Sequence, residues 1–336
     1  MATIIATEPQ AAPPVPAYRR GSRLRLRNAL IGWSFILPNF IGFALLTLVP
    51  IIVLFYMSFT NWNVFGKADW VGLANFQRLI GDGSFRISVI NTLYYSAMHI
   101  PLTIVVSLGL ALLLNNKLRG VAFFRTAAFF PYITSIVAIA VVWNLLFSPE
   151  YGPINEFLRF IGIQNPPGWL TSPQFGPINQ FLRLIGIDNP PGWTASATWS
   201  MPAVIIVGTW REVGYYMLLF LAGLQTIPRE LYEAARMDGA NAWNQFRNVT
   251  LPSLRPTTFF VTIILTIGSF KVFDLILLLT NGGPGQSTLV LSQYIYQKGF
   301  VENQFGYASA ISIVLFAICF VVTVVQFLIN RRGSES

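Results

Sequence analysis

The sequence predicts an all-α integral membrane protein with six transmembrane helices, both termini cytoplasmic, and a cytoplasmic helix–turn–helix between the fourth and fifth spans. Three observations carry this reading. The 336 residues hold only 22 Lys+Arg and 13 Asp+Glu, whereas a soluble chain at roughly 25% charged would hold about 84. The composition is 54% hydrophobic and 15% aromatic, with mean hydropathy +0.58, too much apolar surface for one water-facing domain to hide. Apolar runs long enough to cross a bilayer recur along the chain, and Lys and Arg concentrate in alternate connections.

Residues 1–28 read as a disordered basic arm: rich in Ala and Pro at the start, then Arg19, Arg20, Arg23, Arg25 and Arg27. A helical span needs about 20 apolar residues, which places spans at about 30–57, 87–114, 126–147, 201–224, 257–280 and 307–329 within a transmembrane region at 29–330. The first is too long for a signal-peptide core. Pro38, Pro50, Pro101 and Pro131 lie in or near spans; lipid tolerates them because neighbouring helices and water satisfy the freed carbonyls.

Orientation follows from the bases near span ends. The arm, the 115–125 loop (Lys117, Arg119, Arg125), the 225–256 loop (Arg229, Arg236, Arg247, Arg255) and the 331–336 tail (Arg331, Arg332) share fourteen. The other connections hold six: Lys67, Arg78, Arg86, Arg159, Arg183 and Lys298. The side with fourteen is expected to be cytoplasmic. Nucleic acid is not an expected partner, because the bases are separated by long apolar runs rather than gathered on one face.

The outer loop at 148–194 carries a tandem repeat. Residues 148–163 are echoed 24 positions later by 172–187, and each copy ends in Asn-Pro-Pro-Gly-Trp. Ile154, Phe157, Leu158 and Ile161 recur at helical spacing, so each copy reads as a short amphipathic helix. Two readings apply: a tolerated local duplication, or an enlarged docking surface for an external partner.

No enzyme constellation is present. The glycine-rich segment 281–288 lacks the Lys of a phosphate-binding loop. The one histidine, His99, lies within a span, so neither an HExxH zinc site nor a His-dependent triad is expected, and one cysteine, Cys319, rules out a disulfide framework. No cofactor or metal is expected. His99 reads as a hydrogen-bonded packing residue, with a proton relay as the alternative.

Charges inside spans cost roughly 2.5–3.5 kcal/mol each on insertion scales. Arg211 and Glu212 fall in the fourth span and Lys271 and Asp274 in the fifth. Arg211 and Glu212 are adjacent and expected to point apart, whereas Lys271 and Asp274 are spaced to meet on one helix face. Such charges either pair locally or line a translocation path or its gate, for which Lys271, Asp274 and Tyr216 are the candidates.

The cytoplasmic loop is the most specific segment. Pro228 suits a first helical position, Glu230 and Glu233 favour an N-terminal turn, and Gly239 is a natural stop. Asn241 can cap a second short helix that Pro252 is expected to end. Leu231, Ala234, Ala235 and Met237, with Trp243 and Phe246, form an apolar cluster that calls for a partner.

Glu233-Ala234-Ala235, then Gly239, then Leu251-Pro252 resembles the EAA signature of membrane subunits of binding-protein-dependent ATP-binding-cassette importers, with Val249 where Ile is usual. Ala222-Gly223-Leu224-Gln225, Phe270-Lys271-Val272-Phe273-Asp274 and Leu279-Thr280 with Gly282-Gly283-Pro284 are similar to the carbohydrate-uptake (maltose and glycerol-phosphate) branch. The resemblance implies a sugar permease subunit of the bacterial plasma (inner) membrane. It further implies a second, different permease, two ATPase subunits that hydrolyse ATP, and an extracytoplasmic solute-binding protein. Glu233, Ala234, Ala235, Gly239, Leu251 and Pro252 would then make the ATPase contact. A secondary transporter or channel, or an intramembrane enzyme, are the competing classes.

Overall fold

The structure, a computed structural model, describes residues 22–63, 66–116, 119–146 and 196–334. The tandem repeat at 148–194 and residues 1–21 of the basic arm lie outside the described residues. Among the described residues the chain is helical, and its one extended pairing is an isolated bridge between Thr60 and Trp70.

The chain divides into two units, residues 1–54 and 55–336. In the first, α1 (Ser22–Phe43) passes through a π-turn at Ala44–Leu48 into α2 (Val49–Ser58), whose last four residues belong to the second. Residues 22–28, expected in the disordered arm, are therefore helical; Arg and Leu are good helix formers, and no proline falls between Pro16 and Pro38. Pro38 lies inside α1.

Within the second unit, a short amphipathic helix, α3 (Ala74–Gly81), is pinned by Asn75 Nδ2 to the carbonyls of Ser58 and Thr60, each at 2.8 Å. The long helix α4 (Gly83–Leu114) starts at Asp82, whose carboxylate accepts from the amides of Ser84 and Phe85. Its buried stripe is small and polar, with Ser88, Thr92, Ser96, Thr103 and Ser107 facing inward, while Val105 and Leu113 are exposed. This is the membrane pattern: small residues let helices approach, and the apolar side faces lipid. Thr103 meets Thr209 at 3.3 Å and Ser107 donates to the Val213 carbonyl at 3.1 Å, joining α4 to α7 (Ser200–Gln225). Helix α7 is the most buried of the long helices, 61% of its most apolar stretch being buried against 28% in α4.

Between them, α5 (Val121–Ile133) and α6 (Ile136–Leu146) meet at 96°. The expected third span is thus sharply broken. Thr134 is extended, its hydroxyl turns back to the Phe130 carbonyl at 2.8 Å, and Pro131 removes a nearby donor.

The loop after α7 folds as α8 (Arg229–Met237), then α9 (Ala242–Gln245), a π-turn at Phe246–Thr250 and α10 (Leu251–Ser253). Pro252 does not end this helix as expected. It follows the wide turn and lies within α10, and the change of direction comes at Leu254, 64° before α11 (Arg255–Phe270).

The expected fifth span is also broken. Helix α11 stops at Lys271, Phe273 has φ −140° and ψ −62°, and α12 (Asp274–Leu279) starts a new segment. The chain turns through Asn281–Gly285, reaches α13 (Leu291–Tyr296) and a π-turn at Gln297–Val301, and ends in α14 (Phe305–Ser334). Among the described residues four helices are long and apolar enough to cross a bilayer, and the two bent pairs raise the count to as many as six.

Candidate functional site

Two places gather most of the site residues expected from the sequence: a polar cavity beside the helix breaks, and the loop at α8–α10.

The cavity, of about 150 Å³, is bounded by Tyr95 and His99 of α4, Gly208, Arg211 and Glu212 of α7, Ser269 of α11, and Lys271, Phe273 and Asp274 at the break. His99 is only 2% exposed. Its Nδ1 shares a hydrogen bond with Ser269 Oγ at 3.1 Å, which fastens α4 to the last turn of α11 beside the break. Its Nε2 lies 3.8 Å from the Glu212 carboxylate, and the ring stacks on Tyr95 with centroids 4.9 Å apart. Gly208 makes room for this stack: a Cβ there would fall 2.8 Å from the Tyr95 hydroxyl.

Arg211 and Glu212 do not point apart as their adjacency suggested. Arg211 Nη1 lies 3.7 Å from Glu212 Oε1, because both long side chains bend toward the cavity. Lys271 and Asp274 do not share a helix face, because α11 ends at the one and α12 begins at the other. Both line the cavity nonetheless. Tyr216 does not. It is 5% exposed and packs with Met217, Phe220 and Leu265 in the apolar core, its ring edge-on to Tyr215. The sequence marked the four charges but not their meeting with His99 and Ser269, which depends on where α11 breaks.

In the loop, α8 ends as glycine dictates. Gly239 has φ +76°, its amide donates to the Arg236 carbonyl at 3.0 Å, and the Ala240 amide donates to the Ala235 carbonyl at 2.9 Å. Asn241 caps α9 by accepting from the Asn244 amide at 2.9 Å. Pro228 sits one residue before the helix rather than inside it. Tyr232 Oη and Thr250 Oγ1, 2.9 Å apart, hold the two arms together. Glu233, Ala234, Gly239, Leu251 and Pro252 are exposed, Ala235 is half-buried, and no residue of α8 is buried. Met237 at 89% and Trp243 at 65% are the most exposed apolar side chains of the loop.

A third cluster, missed in the sequence, surrounds Asp82. Besides capping α4, its Oδ2 accepts from the hydroxyls of Tyr294 in α13 and Tyr307 in α14, and the Arg78 guanidinium lies 4.0 Å over the Tyr307 ring. Burial raises the Asp82 carboxyl, but the hydrogen bonds from Tyr294, Tyr307, Phe85 and Ser84 together outweigh it and hold the group below its ordinary value. Burial, then the bond to Asp82, pushes the Tyr294 phenol up, so it stays a donor. The available signal was an acid directly before a long apolar run, which is where an N-cap belongs.

Broken apolar helices enclosing a charged cavity, with an uncovered two-helix loop between spans, define a multi-pass membrane protein of transport type. The family description "Binding-protein-dependent transport system inner membrane component" matches residues 100–334. This chain belongs to that family, whose members are transporter membrane subunits rather than enzymes. It is 31% identical over 313 residues to the probable starch degradation products transport system permease protein AmyD of Thermoanaerobacterium thermosulfurigenes, covering 92% of this chain and 97% of that one. It is 35% identical over 307 residues to the lactose transport system permease protein LacF of Rhizobium radiobacter, covering 90% and 94%. Among solved structures, a bacterial ABC transporter involved in import of the acidic polysaccharide alginate has a chain with TM-score 0.73 and 26% identity, covering 93% of this chain and 99% of that one.

Proposed function

We propose that this chain is one permease of an ABC importer for a sugar or sugar derivative in the bacterial inner membrane, six-spanning with both termini cytoplasmic. It forms the pathway with a second, different permease. Two ATPase subunits drive it through the EAA loop, and an extracytoplasmic binding protein delivers the sugar. The observation that carries this reading is the cavity at the break of the fifth span. Unwound backbone at membrane depth is tolerated where it lines a water-filled path, and Lys271 and Asp274 stand at that break with Arg211 and Glu212 opposite. Relatives named for starch products and lactose support the substrate class. The exposed apolar face of α8 and α9 supports a protein contact there.

The test is uptake by the assembled importer. Lys271→Ala and Asp274→Asn are expected to cut sugar uptake and sugar-stimulated ATP hydrolysis while the complex still assembles. Wild-type rates in both variants would remove these residues from the pathway.

A further inference from the structure

A row of aromatic rings leads away from the cavity. Phe273, part of the cavity wall, lies 5.2 Å from Tyr296; Tyr296 lies 5.7 Å from Phe300; Phe300 lies 5.5 Å from Phe305; and Phe305 lies 5.3 Å from Trp62. Local structure sets the row. Tyr296 and Phe300 are four apart across the π-turn at Gln297–Val301 and stack within 24°. Glu302 closes that turn, Asn303 takes φ +56°, and Phe305 opens α14. The rings are not packed away: Phe300 is 67% exposed and Tyr296 38%.

Polar residues alternate with these rings along the chain from 296 to 305. Lys298 Nζ donates to both oxygens of Glu302 at 2.8 Å, and Gln304 Nε2 donates to Glu302 at 3.1 Å. Uncovered aromatic faces flanked by hydrogen-bonding groups suit one ligand chemistry in particular. The C–H face of a sugar ring lies on the negative face of an aromatic ring, while its rim hydroxyls reach the polar neighbours. An interfacial aromatic belt, the other common use of such residues, is rich in Trp and Tyr and spread around the circumference. Here three of the five rings are Phe, and each lies within 5.7 Å of the next, from Trp62 to Phe273 in the cavity wall.

We propose that Trp62, Phe305, Phe300, Tyr296 and Phe273 are a stacking track that hands saccharide rings from the outer rim to the cavity. This rests on the cavity being part of the sugar pathway. The track acts after delivery, so its loss slows translocation and leaves docking of the binding protein unchanged.

The experiment uses the complete importer with its binding protein in proteoliposomes, offered radiolabelled maltotriose, lactose, arabinotriose and diacetylchitobiose. With whichever sugar the wild type imports, Phe300→Ala and Tyr296→Ala are each expected to lower the maximal rate about three- to tenfold. The half-saturating concentration of loaded binding protein should stay constant, and Phe300→Tyr and Tyr296→Trp should restore the rate. Phe316→Ala, at an exposed stacked pair elsewhere on α14, should have no effect. Unchanged rates in the track variants, an equal loss in Phe316→Ala, or a loss that follows reduced complex recovery would overturn the track. If the track variants behave as wild type while Lys271→Ala and Asp274→Asn fail, the pathway reading stands and the track falls. Import of none of the four sugars by the wild type would count against the pathway reading, and the track would fall with it.

Discussion

Single residues fix the closest approaches in this molecule, and Gly214 is the sharpest case. A Cβ there would lie 1.9 Å from the Ala128 carbonyl oxygen, a backbone atom of α5 that cannot turn aside. The crossing of α5 on α7 exists because position 214 has no side chain. Gly214→Ala should therefore force the two helices apart at a cost of about 1–3 kcal/mol, lowering the melting temperature of the detergent-solubilised complex. Gly109→Ala in α4, where a Cβ meets nothing within 4 Å, should be neutral or stabilising by about 0.5–1 kcal/mol. Asp82 sets a pH limit in the same way. Its carboxyl is held below the ordinary value of 3.8 in the folded chain, so it contributes stability that is complete above that value and lost as pH falls through the lower, folded one. The part of the melting temperature that Asp82 supplies should be kept from pH 7 down to about 3.8 and lost only below it. Asp82→Asn should be less stable at pH 7 and lose much of that acid dependence; an unaltered acid limb would show that other groups cause it.

At the scale of elements, the loop α8–α10 was legible almost residue by residue because short-range chemistry decides it. Glycine at a left-handed stop, asparagine at a cap and acids in a first turn act within four residues, so sequence spacing is enough. The broken spans were not legible for the opposite reason. Lys271 and Asp274 have the spacing of a helical pair, whereas the end of α11 is tied by groups distant in sequence: Ser269 to His99, 170 positions away, and the Phe270 carbonyl to Ser292. Pro252 misled similarly: proline ends a helix only where its missing donor was needed, and the preceding π-turn had already opened the ladder. The loop carries its own prediction. Gly239→Asp places a side chain at φ +76° and unravels the stop, and Glu233→Lys reverses a charge on the exposed face of α8. Both should leave the spans inserted yet reduce ATPase co-purification and sugar-stimulated ATP hydrolysis by about tenfold or more, the usual scale when a central interface anchor is lost. Full coupling in both variants would place the ATPase contact elsewhere.

At the scale of the whole molecule, the formal charge of +9 resolves by side. On the proposed orientation the cytoplasmic segments hold fourteen bases and five acids, Glu8, Glu230, Glu233, Asp238 and Glu335, which accounts for all of the excess. The outer connections hold six bases and six acids, and the four charges within spans cancel. A chain inserted the other way would carry that excess across the membrane, against the bias that sets topology. This is testable with one cysteine at a time, since Cys319 is the only natural one and can be replaced by serine. In intact cells a membrane-impermeant thiol reagent should label Ala68→Cys, in the connection before α3, and should label Asn116→Cys, just after α4, only once the cells are opened. Both positions are exposed, and one precedes and the other follows α4 along the chain, so the pair reports the direction of that helix whatever the broken spans do. Labelling of Asn116→Cys in sealed cells would invert the orientation, and with it the side on which the α8–α10 loop could meet an ATPase.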